Sequence, residues 1–262
     1  MDNIFLISAL VILIYFTGVF LLAQYLKNNS IVDSFWGPGF LVVAVVTFIL
    51  TQYRGNRAML ITALIAIWAI RLFTHITIRN WNKPEDFRYI NMRKRWGKNF
   101  ALLKAYLNVL LLQGVLLFII AVTIISGNSN PDQTIGLTAI LGLILWIIGF
   151  FFEAVGDRQL KDFKANPANK GKIMTKGLWS YTRHPNYFGD ALTWWGLWLI
   201  AADIGPWVAL ASVIGPVFLT FTLTKWSGKA LLEKGLHKTR PDYAAYVART
   251  SGFIPWPPKT GV

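Results

Sequence analysis

The feature that most constrains this chain is a recurrence of apolar runs of similar length, near residues 3–25, 34–52, 58–78, 101–126, 135–155, 186–202 and 205–224. A helix rises about 1.5 Å per residue, so ~20 apolar residues cross the ~30 Å hydrocarbon core of a bilayer. An apolar content of 55% and a mean hydropathy of +0.47 agree. The runs predict an all-α integral membrane protein of seven transmembrane helices, the sixth being the shortest. The chain opens Met1-Asp2-Asn3 without the cationic start of a cleaved signal, so the first run is expected to be retained.

The formal charge of +14 is placed unevenly, which argues for a membrane and against nucleic acid. Of 26 basic residues, Arg54 and Arg57 fall on one side of a seven-span topology and the other 24 on the opposite side. The positive-inside rule then places the N-terminus outside and the C-terminus in the cytoplasm. Cysteine is absent and only His75, His184 and His237 occur, so thiolate chemistry is excluded and no metal site is expected. There is no internal repeat, and residues 1–262 read as a single domain. The loops on the basic side are long, Asn80 to Asn99, Arg158 to Arg183 and Lys225 onward, and are where chemistry is expected.

Ionisable residues inside spans are costly, so their alignment carries information. Glu153, Asp157 and Lys161 recur every four residues on one helical face; Asn186, Asp190 and Thr193 form a second stripe, and Arg71, His75 and Arg79 a third. Asp33 opens the second span just before Gly37-Pro38-Gly39, which is expected to bend or break the helix. Each stripe also has a structural reading: an ion-pair ladder at a helix end, an Asp33 counter-ion for Arg71 or Arg79, or an interhelical hydrogen bond from Asn186. His184-Pro185 reads as a helix start with proline in its first turn. The preceding loop supplies Lys161, Lys164, Lys170, Lys172, Lys176 and Arg183, a set suited to phosphate. Neither G-x-G-x-x-G after a strand nor a Walker motif occurs, so a soluble nucleotide fold is excluded.

The stretches "FFEAVGDRQLKDFKANPANKGKIMTKGLWSYTRHPNYFGDALTWWG", "DYAAYVARTSGFIPW" and "SIVDSFWGPGF" resemble the steroid 5-alpha-reductase family in its bacterial branch, the DUF1295 domain. The similarity extends through "RLFTHITIRNWNKPEDFRYINMRKRWGKNF" and so covers nearly the whole chain. It implies a seven-helix enzyme of the bacterial inner membrane, with cytoplasmic loops over an NADPH site formed by about residues 135–262. The implied reaction is hydride transfer to a conjugated, steroid-like or other lipid substrate, with membrane lipids as surroundings and no nucleic acid or metal. By motif, the cofactor-binding positions fall on Glu153, Asp157, Lys164, Asn186 and Asp190, joined by Tyr181, His184, Tyr187 and Glu233. The acid and tyrosine that polarise a substrate ketone in the steroid enzymes correspond to Asp33 and Trp68; an indole donates an N–H but no proton at neutral pH.

"RHPNY" with the aromatic-basic C-terminal stretch is similar also to isoprenylcysteine and phospholipid methyltransferases, which use S-adenosylmethionine. Those enzymes carry an adjacent Glu-Glu pair, where this chain has Leu232-Glu233-Lys234. A third reading, lipid binding or transport, would use the interrupted second span and midbundle charges as a substrate path.

Overall fold

A computed structural model describes residues 3–52, 54–97, 99–226 and 228–259. It is all-helical; among these residues no strand forms, and one isolated parallel bridge joins Thr182 to Ser251. In chain order the α-helices are α1 (Ile4–Tyr25), α2 (Trp36–Leu50), α3 (Asn56–Asn80), α4 (Phe87–Trp96), α5 (Ala101–Ala105), α6 (Leu112–Asn128) and α7 (Leu137–Ala165). They continue as α8 (Leu178–Tyr181), α9 (Pro185–Ala202), α10 (Pro206–Ser212), α11 (Ile214–Phe221), α12 (Lys229–Thr239) and α13 (Tyr243–Arg249).

Among the described residues six segments are long and apolar enough to cross a membrane: Ile4–Tyr25, Asn29–Leu50, Asn56–Asn80, Ala101–Asn128, Leu137–Ala165 and Pro206–Trp226. They mark an integral membrane protein. The expected sixth run does form a helix, α9, of 18 residues, with Asn186, Tyr187 and Asp190 in its first two turns, and it is not one of these six.

The chain divides into two compact units, residues 1–136 with 201–215, and residues 137–200 with 216–262. In the first unit α1, α2, α3 and α6 pack on one another. On α1 the buried positions Ser8, Ile12, Phe16, Val19 and Ala23 follow the helical period, while Leu6, Ile14 and Leu21 on the other faces stay exposed. Apolar residues on every face are what a helix with lipid on one side requires. Gly37-Pro38-Gly39 does not break α2, which is continuous from Trp36 to Leu50. A 3₁₀ turn over Asn29–Phe35 precedes it, and Pro38 lies in its first turn, where the missing N–H has no intrahelical acceptor to lose. A Cβ on Gly37 would lie 2.9 Å from the Ala69 carbonyl oxygen, so the glycine is there for close packing on α3. Between α5 and α6 the helix widens into a π-helical stretch, Tyr106–Leu111.

One end of this unit is closed by Arg57, fully buried at the start of α3. Its guanidinium pairs with Asp203 at 3.0 Å and donates to the Asp132 carbonyl at 2.6 Å, while Asp203 also accepts from the Gly136 amide at 2.7 Å.

In the second unit α7 and α9 pack through glycines seven residues apart, Gly142, Gly149 and Gly156 on α7 and Gly189 and Gly196 on α9. A Cβ on Gly142 would come within 2.6 Å of the Gly196 carbonyl, and one on Gly149 within 2.5 Å of the Thr193 amide. Such spacing lets two membrane helices touch backbone to backbone. The α7 helix also runs through Ala165, ten residues beyond the apolar run that ends at 155, so the first part of the expected loop from Arg158 is helical.

Candidate functional site

The glycine-lined crossing in the second unit sets two of the predicted stripes face to face. Glu153 and Asp157 are buried on α7, at 3% and 9% exposure, one turn apart. The Asn186 side chain, in the first turn of α9, donates to the Asp157 carboxylate at 3.0 Å. Gly156 makes this approach possible: a Cβ there would stand 3.2 Å from the Asn186 amide nitrogen, and its carbonyl accepts the Trp179 indole N–H at 3.0 Å. Asp190 and Thr193 follow on α9, and Pro185 begins that helix as the His-Pro pair predicts.

Just before α9, Arg183 and His184 converge on Glu233 of α12. Arg183 donates from Nε to Glu233 Oε1 at 3.0 Å and from Nη2 to Oε2 at 3.4 Å, a fork on one carboxylate. Its Nη1 donates to the Thr250 carbonyl at 2.6 Å, and its backbone amide to Ser251 at 2.9 Å. His184 Nε2 lies 3.0 Å from Glu233 Oε1, and its ring stacks on Tyr187 with centroids 5.5 Å apart. The two-residue segment is thereby tied to the C-terminal helices, and the Thr182 hydroxyl, bonded to the Phe253 carbonyl at 2.8 Å, adds to the tie.

The electrostatics follow from burial and partners. Burial pushes the His184 imidazole below its ordinary value, against the pull of Glu233 and with help from Lys229 and Arg183. Burial would raise Glu233, but hydrogen bonds and charge from Arg183 and His184 hold its carboxyl below the usual range. Burial, with Glu233 beside it, pushes the Tyr243 hydroxyl up to about 12. Neutral His184 donating from Nε2 to ionised Glu233 leaves Nδ1 as the basic ring atom. Buried carboxylates and an amide suit the carboxamide and hydroxyl donors of a nucleotide. Among the residues expected to touch a cofactor, Lys164 on the last turn of α7 is exposed, and Tyr181 is 45% exposed with its carbonyl engaged by the Trp256 amide at 2.9 Å.

In the first unit, Trp68 is 2% exposed and packs on Phe40, ring centroids 5.8 Å apart. Asp33 is held from α4: Arg88 pairs with its Oδ2 at 2.7 Å and the Tyr89 hydroxyl donates to its Oδ1 at 2.9 Å. Burial raises the Tyr89 hydroxyl, and the Asp33 charge raises it further. Asp86 caps α4 by accepting from the Arg88 amide at 2.9 Å; burial would raise its carboxyl, but Arg88 outweighs burial and holds it below the usual range. Sequence reasoning missed Arg88, Tyr89 and Tyr243. Arg183 was visible only as one more basic loop residue, although its place directly before His-Pro is the signal that separates it from the exposed lysines.

The DUF1295 profile, described as a protein of unknown function, matches residues 19–250. The chain belongs to this family. It is also similar to a probable O-methyltransferase, ustE, of Ustilaginoidea virens, 38% identical over 91 residues, which cover 34% of this chain and 31% of that protein. An uncharacterized protein of Schizosaccharomyces pombe is 22% identical over 288 aligned positions, covering 97% of this chain and 80% of the relative. The two shares differ in kind: one relative shares a third of its length, the other most of it. No solved structure matches the chain.

Proposed function

We propose that this DUF1295 protein is a membrane-embedded reductase that uses NADPH to saturate an activated carbon–carbon double bond in a steroid-like or other lipid substrate. The observation that carries the reading is the Asp157–Asn186 pair at 3.0 Å, set beside buried Glu153 on glycine-packed helices. When bound, NADPH supplies the hydride. Glu153, Asp157, Asn186 and Asp190 would accept and donate hydrogen bonds at its carboxamide and ribose. Lys164 and the exposed Lys170, Lys172 and Lys176 would neutralise its phosphates and favour the 2′-phosphate over a free hydroxyl. Arg183, through Glu233 and Thr250, fixes the start of α9 and so the position of Asn186. Hydride addition to a conjugated ketone builds negative charge on its oxygen, which a donor must stabilise. Trp68, and Asp33 through the Arg88 and Tyr89 donors that it holds, are the residues proposed to meet that charge. In this reading α9 is a seventh span, the N-terminus lies outside, and the long basic loops are cytoplasmic.

A second reading, methyl transfer from S-adenosylmethionine, draws support from the 38% identity to the probable O-methyltransferase. The His184–Glu233 pair is also a base of the kind that deprotonates an acceptor hydroxyl. Mass spectrometry of the protein purified in detergent, incubated with both cofactors at equal concentration, separates the two. Retention of NADPH alone is expected; retention of S-adenosylmethionine alone overturns the reductase reading.

A further inference from the structure

Between Trp81 and Phe100 lie six basic and two acidic residues, and the fold sorts them. Both acids turn inward. Glu85 accepts the Asn29 amide at 2.8 Å and pairs with Arg93; Asp86 caps α4 and accepts the Arg88 side chain at 3.1 Å. The inner face of α4 is completed by buried Tyr89 and half-buried Met92 and Trp96. The opposite face carries Phe87, 70% exposed, Ile90, 37% exposed, and exposed Asn91, Lys94 and Arg95. Trp81 and Phe100, at 70% and 76%, flank it, with Lys83 exposed nearby. Among the described residues no carboxylate pairs with Lys83, Lys94 or Arg95.

The level of this helix follows from its connections. It joins the end of the span Asn56–Asn80 to the start of the span Ala101–Asn128, and its Arg88 and Tyr89 reach Asp33 at the head of α2. A ten-residue helix tied to three span ends lies at the membrane surface. Aromatic and aliphatic side chains beside unpaired cations are what the boundary between headgroups and acyl chains accepts.

We propose that the outer face of α4 is a docking surface for anionic phospholipid, with Phe87 and Ile90 entering the acyl boundary and Lys83, Lys94 and Arg95 binding headgroup phosphates. Because Arg88 and Tyr89 lie on the same helix, lipid engagement would steady the clamp on Asp33. This stands apart from the choice of cofactor.

The cysteine-free chain allows a direct test. Asn91→Cys, labelled with an environment-sensitive dye, is placed in nanodiscs of phosphatidylcholine alone or mixed with phosphatidylglycerol. The expected result is a blue-shifted emission with phosphatidylglycerol, quenched by brominated lipid and shielded from aqueous iodide. Replacing Lys83, Lys94 and Arg95 with Gln should weaken the dependence on phosphatidylglycerol about fivefold per residue, with an unchanged melting temperature. Equal emission in both lipids, or a full phosphatidylglycerol preference in the triple variant, overturns the proposal.

Discussion

The Asn186 side-chain amide donates to the Asp157 carboxylate at 3.0 Å beside Gly156, where a Cβ would stand 3.2 Å from the Asn186 backbone nitrogen. The two partners sit on different helices, so the bond depends on α7 and α9 staying in contact. Asn186→Ala should weaken NADPH binding at least tenfold, about 1.4 kcal/mol. The check is a fluorescence titration on a variant whose melting temperature is preserved; unchanged affinity would remove Asn186 from the cofactor site.

The crossing itself is testable through its glycines. Gly196→Ala would put a Cβ 2.6 Å from the Gly142 carbonyl and the Trp146 amide, both of them backbone. Separating two packed helices is expected to cost about 1–3 kcal/mol. Gly18→Ala on α1, where nothing lies within 4 Å, is the control and should be neutral or slightly stabilising. Thermal unfolding of both variants in one detergent decides the matter, and equal melting temperatures would contradict the packing.

Acid should destabilise the second unit in two stages with the same sign. His184 has a folded value below its ordinary 6.5, so the unfolded chain takes up the proton first and stability falls as pH drops below about 6.5. Glu233 has a folded value below its ordinary 4.5, so its contribution is present above about 4.5 and is lost as pH falls further. His184→Gln should erase the upper stage and Glu233→Gln the lower. The latter also strands Arg183, which is 9% exposed, at a cost of about 1–3 kcal/mol at neutral pH. Melting temperature against pH for the three proteins reads both effects, and a profile flat from pH 7 to about 4 would refute the assignment.

Arg57 serves stability. It is fully buried and carries the Asp203 carboxylate and the Asp132 carbonyl. Arg57→Ala leaves these acceptors without their donor and should cost about 3–5 kcal/mol. Cofactor affinity of the surviving folded fraction should not change. A melting temperature within a degree or two of the unaltered protein would show that the network contributes nothing measurable.

The spans were legible because lipid demands long apolar runs, and the α7 and α9 stripes because their period is that of a helix. Three features were hidden for a physical reason. The apolar run on α7 ends at 155 while its helix continues to Ala165, since Arg158, Gln159, Leu160, Lys161 and Lys164 are good helix formers and no proline occurs before Pro167. Gly37-Pro38-Gly39 resembles a break because proline in a helix interior is one; its harmless place in the first turn depends on where the 3₁₀ turn hands over. Glu233 is 50 residues from Arg183, and the partners of Asp33 are 55 and 56 residues away, so neither contact leaves a periodic trace.

Asp33 shows what that last gap meant for function. The sequence offered two roles, counter-ion to Arg71 or Arg79, or acid beside a substrate. The structure gives it Arg88 at 2.7 Å and the Tyr89 hydroxyl at 2.9 Å, both from α4. The Arg88 and Asp33 side chains are 48% and 23% exposed, so solvent screens the ion pair and its contribution is small, about 0.2–1 kcal/mol. Asp33→Asn keeps an oxygen for the Tyr89 hydroxyl and should lower stability little, whereas Asp33→Ala removes both partners and should cost more. Under the reductase reading the Asn variant retains NADPH affinity but loses turnover, because a neutral amide does not hold the Arg88 guanidinium as the carboxylate does. Full turnover by Asp33→Asn on an identified substrate would leave the residue as an anchor for α4, and a loss of cofactor affinity in the same variant would show that the two roles had been wrongly separated.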